Sequence, residues 1–417
     1  MKEGARQGLH RLSRFFGTDM MYVAKSGFWM NANFIVTSVF GLATSILFAH
    51  LLSKETYGTY QFILAIASTI AVFVPNNMSS AVLRSVARGN EGDLKEATRF
   101  QIKWGAVGTI IACGVSIWYL IHSNLGLSIS LIVIAVFMPS TYALNTWSAY
   151  IQGKKDYKRY FIWNTLGTFI SYGGVIAILF ISKDYLWLAF ANIVFAFITN
   201  LILYFITIKK MRPGNKTDPE TISYGSHLSI MGIPQGIASQ LDALLIFHYI
   251  GAPALAVYSF ATLFPERLTG GLKFISMIAF PKFSEKSEED VKGFFHKKIW
   301  WLLLFLGIVA GVYALIAPYL FQLLFPSYMS AVPFTRVYSL SFFAIAAGVV
   351  HAALMSQKKT RELYISTLVT PFLKTILMIA FMFFWGVWGI IWAQITTTVF
   401  QIIFPIYLFK RSRPEIV

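Results

Sequence analysis

The chain has little of several things that most proteins of its length use. It holds one cysteine, Cys113, in 417 residues. That excludes an intramolecular disulfide and any site built from several thiolates. Cys113 falls inside an apolar run and is expected to be an inert core thiol. Charge is scarce: 13% of residues are charged, against about a quarter in soluble domains. The seven histidines show no ligand spacing, so no metal site is expected. No Walker A, dinucleotide-binding or nucleophile-elbow motif appears. Neither a cofactor nor covalent catalysis is expected, and an enzyme reading has nothing to rest on.

What the chain has instead is apolar length. It is 56% hydrophobic, with a mean hydropathy of +0.62. Continuous apolar runs of about 20 residues recur throughout, the length a helix needs to cross a bilayer. A transmembrane β-barrel would show short alternating segments instead. The fold class is therefore all-α and polytopic. Runs at 28–52, 57–83, 104–121, 128–151, 161–181, 186–208, 223–250, 254–281, 299–325, 333–356, 363–385 and 387–409 give twelve spans. The second run contains Pro75-Asn76-Asn77 and is expected to bend or unwind there. The intervening 84–103 and 282–298 read as charged loops.

The bases are distributed by side. With the N-terminus placed in the cytoplasm, only Lys54 and Lys183 of the 35 Lys and Arg fall in outer turns. Four lie within spans: Arg267, Lys273, Arg336 and Lys374. This is a strong positive-inside pattern, with both termini cytoplasmic. The formal net charge of +17 is thus topological. Its expected neighbour is membrane lipid, and no nucleic-acid partner is expected. The longest polar connection divides the chain. The expected organisation is a basic, cytoplasmic or interfacial N-terminus at 1–25, a six-helix bundle at 26–208, a cytoplasmic linker at 209–221, a second six-helix bundle at 222–409, and a basic tail at 410–417. Six spans per half imply a parallel repeat related by a pseudo-two-fold along the membrane normal.

Charges inside the spans are the candidate functional residues. Each costs at least ~2.5–3.5 kcal/mol near a bilayer centre, so each is expected to face a hydrated cavity or a partner. Asp242 sits about eight residues inside the outer end of its helix, ~12 Å deep. It reads as a cation or proton site, a gating partner for a base, or a packing salt bridge. Glu266 and Lys273 are two helical turns apart and share a face, with Arg267 about 100° round. Arg267 and Lys273 suit a phosphate-rich group, or else pair internally with Glu266. Lys374, at mid-span after Pro371, reads as a cavity lysine. Arg336 is expected to snorkel to the outer interface. Arg84 and Arg88 end the second span, either as ordinary topology charges or as guides for an anionic headgroup.

Several stretches carry a resemblance. Phe16-Gly17-Thr18-Asp19-Met20, Ala49-His50-Leu51-Leu52-Ser53-Lys54-Glu55-Thr56-Tyr57-Gly58 and Arg84-Ser85-Val86-Ala87-Arg88-Gly89 are three of them. Gln240-Leu241-Asp242 with Ile250-Gly251-Ala252-Pro253, Val257-Tyr258-Ser259 and Leu263-Phe264-Pro265-Glu266 is a fourth. Together they resemble the Wzx-type O-antigen and exopolysaccharide flippases, polysaccharide biosynthesis proteins of the multidrug/oligosaccharidyl-lipid/polysaccharide (MOP) exporter superfamily. The resemblance implies two MATE-like six-helix bundles around a central cavity. It implies alternating-access transport of an undecaprenyl-diphosphate-linked oligosaccharide across a bacterial or archaeal inner membrane. On that reading Arg267, Lys273, Lys374, Arg84 and Arg88 bind substrate. Asp242 and Glu266 couple transport to protons or sodium, or gate it. Polysaccharide polymerase and glycosyltransferases are candidate partners. The alternatives are a cation-coupled multidrug antiporter of the same fold and a membrane scaffold for glycosyltransferases.

Overall fold

The computed structural model describes residues 20–272, 283–284, 286–357 and 359–411. Lys273 and most of the N-terminal basic segment lie outside them. All regular structure among the described residues is helical. In chain order the helices are α1 (Met20–Leu51), α2 (Lys54–Ala71), α3 (Met78–Ala87), α4 (Asp93–Trp104), α5 (Ala106–Ile121), α6 (Leu125–Leu144), α7 (Thr146–Gly153), α8 (Tyr157–Ile181) and α9 (Tyr185–Met211). Then come α10 (Glu220–Tyr249), α11 (Ala252–Leu272), α12 (Glu288–Lys297), α13 (Ile299–Leu324), α14 (Val332–Tyr338), α15 (Ala344–Ser356), α16 (Thr360–Trp385) and α17 (Val387–Arg411). Among the described residues, ten helices or helix runs are long and apolar enough to cross a membrane. The other two expected spans are the broken pair α2–α3 and the hairpin helix α11. The protein is a multi-pass membrane protein, and its outer faces carry large apolar side chains such as Trp301, Leu315 and Leu323.

The expected break in the second span is present. Helix α2 stops at Ala71 and α3 starts at Met78. Irregular backbone at membrane depth survives only if its polar groups find partners. Here side chains supply them. Gln101 Nε2 donates to the Pro75 carbonyl at 2.7 Å, and Asn76 Nδ2 donates to the Ala71 carbonyl at 2.8 Å. Asn77 Nδ2 donates to the Leu228 carbonyl at 3.0 Å.

Three local expectations need correction. The segment 84–103 is not a loop: Arg84 lies in α3, and α4 takes up most of the rest. Leu94, Ala97, Thr98 and Gln101 recur at helical spacing and are buried, while Arg99 and Lys103 face outward. Asp93 and Glu96 sit in the first turn, where acids complement the helix dipole. The segment 282–298 likewise contains α12, whose N-cap Ser287 accepts from the Asp290 N–H at 3.2 Å. Cys113 is exposed, not a core thiol. The buried stripe of α5 is Gly108, Ala112, Ser116 and Tyr119. Cys113 lies about 100° round from Ala112, on the side that carries the exposed Ile110 and Ile117.

The backbone contacts define two compact units. The first spans 70–182, 186–230 and the chain before 46. Its core joins α3, α4 and α7 through Met78, Val82, Leu94, Trp147 and Tyr150. It also holds the polar connection after α9. Asp93 is fully buried and accepts from the Ser85 hydroxyl, from Thr221 Oγ1 at 2.7 Å and from the Asp218 N–H at 3.2 Å. Glu91 accepts from Lys154 Nζ at 2.6 Å, Tyr150 Oη at 2.9 Å and the Gly214 N–H at 3.1 Å. These two carboxylates fix residues 214–221 to the start of α4.

The second unit spans 46–69, 183–185 and 231 onward. Within it α2 packs on the hairpin of α10 and α11. Phe62 stacks on Phe247 at 3.7 Å between centroids, and Tyr57 stacks on Phe260 at 4.8 Å. Gly58 makes this closeness possible. A Cβ there would collide with the backbone carbonyl of Ala252.

Candidate functional site

The site is built on the α10–α11 hairpin. Gly251 adopts φ +118°, a conformation that side chains resist, and its N–H returns to the Ile246 carbonyl at 2.9 Å. The chain turns back on itself there. Asp242, nine residues before the turn, and Tyr258, seven after it, come side by side.

Tyr258 Oη donates to Asp242 Oδ2 at 2.7 Å, and Gln394 Nε2 of α17 donates to the same oxygen at 3.3 Å. Among the described residues, Oδ1 accepts only a local backbone N–H, that of Ala243, at 2.8 Å. Tyr338 of α14 donates through Oη to Glu266 Oε1 at 3.2 Å. The two tyrosine rings meet edge to face, 6.4 Å apart at 83°. Lys374 of α16 is 9% exposed, and its charged neighbours are Asp242 and Glu266. Its ammonium forms no hydrogen bond or ion pair within 4 Å among the described residues. Five helices thus bring two carboxylates, one ammonium, two phenols and an amide into one cluster.

The chemistry follows from that arrangement. A buried ammonium without a direct partner is costly, and it lies within electrostatic range of two carboxylates that it does not touch. Each carboxylate is held by neutral donors, which orient it without neutralising it. The group can therefore exchange partners: ammonium to carboxylate, ammonium to an incoming anion, or carboxylate to an incoming cation.

Of the residues singled out from sequence, Asp242, Glu266 and Lys374 are together. Arg267 is half-buried beside Glu266 and acts electrostatically on it. Lys273 lies outside the described residues. Arg84 and Arg88 belong to the first unit. The Arg84 guanidinium lies 4.7 Å over the Tyr224 ring, beside a cavity of about 40 Å³ that also touches Asp218 and Thr221. That volume holds roughly one or two waters. Arg88 is exposed at the C-cap of α3. Arg336 is exposed, and its Nε donates to the Ala314 carbonyl at 2.9 Å.

Sequence reasoning missed Tyr258, Tyr338 and Gln394. The signal for Tyr258 was its place across the Gly251 turn from Asp242. Tyr338 and Gln394 carried none, because their partners are fixed only by packing.

The comparisons with known proteins agree with this architecture. The structure of the lipid II flippase MurJ in an inward closed conformation superposes with TM-score 0.67 and 15% identity, over 92% of this chain and 87% of that one. An inward-facing multidrug resistance MATE family transporter of the MOP superfamily gives 0.62 and 14%, over 90% and 96%. A MOP superfamily transporter from Pyrococcus furiosus gives 0.55 and 16%, over 94% and 96%. At such identities the likeness is one of fold. No sequence among curated proteins matches significantly. The family model described as polysaccharide biosynthesis protein matches residues 47–297, more than half the chain and the whole of the Asp242–Glu266 hairpin. The chain therefore belongs to the polysaccharide biosynthesis protein family, with a fold like those of MurJ and the MATE transporter.

Proposed function

We propose that the chain is a flippase that moves an undecaprenyl-diphosphate-linked oligosaccharide across the inner membrane by alternating access, with both termini cytoplasmic. The observation that carries this reading is the Lys374 ammonium, buried among charged neighbours and bonded to none of them. The family supports a glycan-assembly role, and a lipid-linked substrate is the named cargo of the fold relative MurJ. Such a substrate is anionic at its diphosphate, polar in its sugars and apolar in its tail. Arg267, Lys273 and Lys374 bind the diphosphate, and Arg84 and Arg88 draw the headgroup in from the cytoplasmic side. Asp242 and Glu266 act on Lys374 electrostatically, without a direct bond, when no substrate is present. When the diphosphate takes the ammonium, the carboxylates are left with excess negative charge, which a proton or sodium ion offsets. That exchange couples loading to a cation. The segments 26–208 and 222–409 act as the two moving halves, joined by the linker at 209–221.

The test is deletion and rescue. Loss of the gene is expected to leave lipid-linked oligosaccharide on the inner leaflet. Wild type clears it; Asp242→Ala and Lys374→Ala do not. Absence of any accumulation overturns the reading. One observation favours a second reading, a cation-coupled drug antiporter: within the cluster two carboxylates face one lysine. Drug resistance lost in the Asp242 variant, with glycan export intact, selects it. Full rescue by both charge variants selects the scaffold reading instead.

A further inference from the structure

The second unit contains a cavity of about 280 Å³ that the charged cluster does not use. Its polar lining is Gln235, His351, Ser366, Thr367, Thr370 and Gln401, from four helices. Among the described residues, no carboxylate, guanidinium or ammonium borders it. The side chains of Gln235, Gln401, His351 and Thr367 form no hydrogen bond among the described residues. Thr370 donates to the Ser366 carbonyl at 2.8 Å, leaving its hydroxyl oxygen free to accept. Small residues of α15, Ala344, Ala347 and Gly348, border the cavity too.

We infer that this cavity is a subsite for one uncharged sugar ring. Gln235 and Thr367 are exposed and His351 and Gln401 half-buried, so their free polar groups are open to whatever fills the cavity. Each amide offers donors and an acceptor together, which is what a ring edged with hydroxyl or acetamido groups needs. The small side chains of α15 leave a flat surface for the ring's apolar face. The volume is at the lower end for ligand pockets, about 300–1,000 Å³, and suits a single ring. An anionic sugar would find no fixed cation among the described lining residues, and an apolar drug would leave the side chains of Gln235, Gln401, His351 and Thr367 unpaired.

The position of the cavity is as informative as its lining. Gln235 lies seven residues before Asp242, Thr367 seven before Lys374, and Gln401 seven after Gln394. Seven residues are nearly two turns, so each pair shares a helix face. The offset runs backward along α10 and α16 but forward along α17, as helices of alternating direction require. The cavity therefore lies along the same faces as the cluster, ~10 Å away. An anionic group held at Lys374 and a sugar ring in the cavity are within reach of one short glycan. This extends the flippase reading by naming the uncharged sugar part of the substrate, and it rests on that reading only for the identity of the whole ligand.

The experiment uses the purified full chain in lipid nanodiscs and ligand-observed NMR titration with free methyl glycosides. A neutral hexoside and an N-acetylhexosaminide are compared with a hexuronide. The neutral glycosides are expected to bind, and the hexuronide about tenfold more weakly or not at all. Gln235→Leu with Gln401→Leu removes the paired amides and is expected to weaken neutral binding about tenfold. Ala344→Leu, which fills the cavity and leaves its polar groups intact, is expected to do the same. Neutral binding that survives both variants overturns the subsite, as does equal binding of the hexuronide or no binding of either neutral glycoside. Flipping of a lipid-linked oligosaccharide by the wild-type chain in proteoliposomes is measured in parallel. Flipping without variant-sensitive glycoside binding removes the subsite alone. Variant-sensitive binding without flipping removes the transport reading and leaves the subsite.

Discussion

The molecule gathers acids in two places, each around one buried aspartate, and treats them differently. In the first unit, Asp93 receives two hydroxyls and a backbone N–H, and Glu91 beside it receives an ammonium, a phenol and another backbone N–H. Together these donors hold residues 214–221 against α4. In the second unit, Asp242 receives a phenol, an amide and a backbone N–H, Glu266 receives one phenol, and the nearby Lys374 is bonded to neither. A saturated carboxylate has nothing left to exchange and serves packing. An incompletely paired one keeps its charge available, and that availability costs stability. The difference separates a fastener from a working site without reference to motif.

The largest effect should come from breaking the saturated centre. Asp93→Ala leaves two hydroxyls and the Asp218 N–H without their acceptor. The expected cost is about 3 kcal/mol of stability. Thermal unfolding of the purified chain reads it directly, and an unchanged melting temperature would show that water replaces the carboxylate and that the comparison is misdrawn.

Lys374→Met should do the reverse. It removes an unpaired buried charge in favour of an apolar side chain of similar length, a change that is often neutral or stabilising. Transport is expected to fall about tenfold or more, the equivalent of ~1.4 kcal/mol, while the melting temperature holds or rises. A variant that unfolds early but still transports would make Lys374 a packing residue like Asp93.

The smallest effect concerns pH. The hydrogen bond from Lys154, then those from Gly214 and Tyr150, hold the Glu91 carboxyl below its ordinary value of 4.5. A carboxylate lowered by folding stabilises the fold fully above that ordinary value, and the contribution is lost as pH falls through the lower, folded value. Both side chains are partly exposed, so the pair is worth at most about 1 kcal/mol. Amide hydrogen exchange at 212–218 is therefore expected to accelerate as pH falls below about 4.5, after correction for intrinsic rates. Lys154→Ala should shift that onset upward. If the onset does not move, the backbone contacts alone hold the linker.

Much of this was legible beforehand. Apolar runs cannot be hidden, so the spans appear in the sequence, and Pro75-Asn76-Asn77 announces the broken one. Asp242, Glu266 and Lys374 stand out because ionised groups in apolar runs need a reason. The partners did not stand out. Tyr258, Tyr338 and Gln394 look like ordinary members of half-buried helices, and only the convergence of α10, α11, α14, α16 and α17 gives them work. Asp93 was passed over for a related reason: it lies among bases that mark topology, and its burial comes from the docking of a segment more than a hundred residues later. The neutral cavity was equally silent, since glutamines and threonines on separate helices announce nothing until they meet.

Gly58 shows how such closeness is recorded in heredity. The obstacle to any side chain there is the carbonyl of Ala252, part of the main chain and unable to rotate aside. Glycine codons begin with two guanines, and any change to either guanine substitutes the residue or ends the chain. In a saturation library selected for export, position 58 should admit synonymous third-base changes and little else, whereas Gly114, with open space around it, should drift. The tightest seam between α2 and α11 would then be readable from surviving genotypes alone.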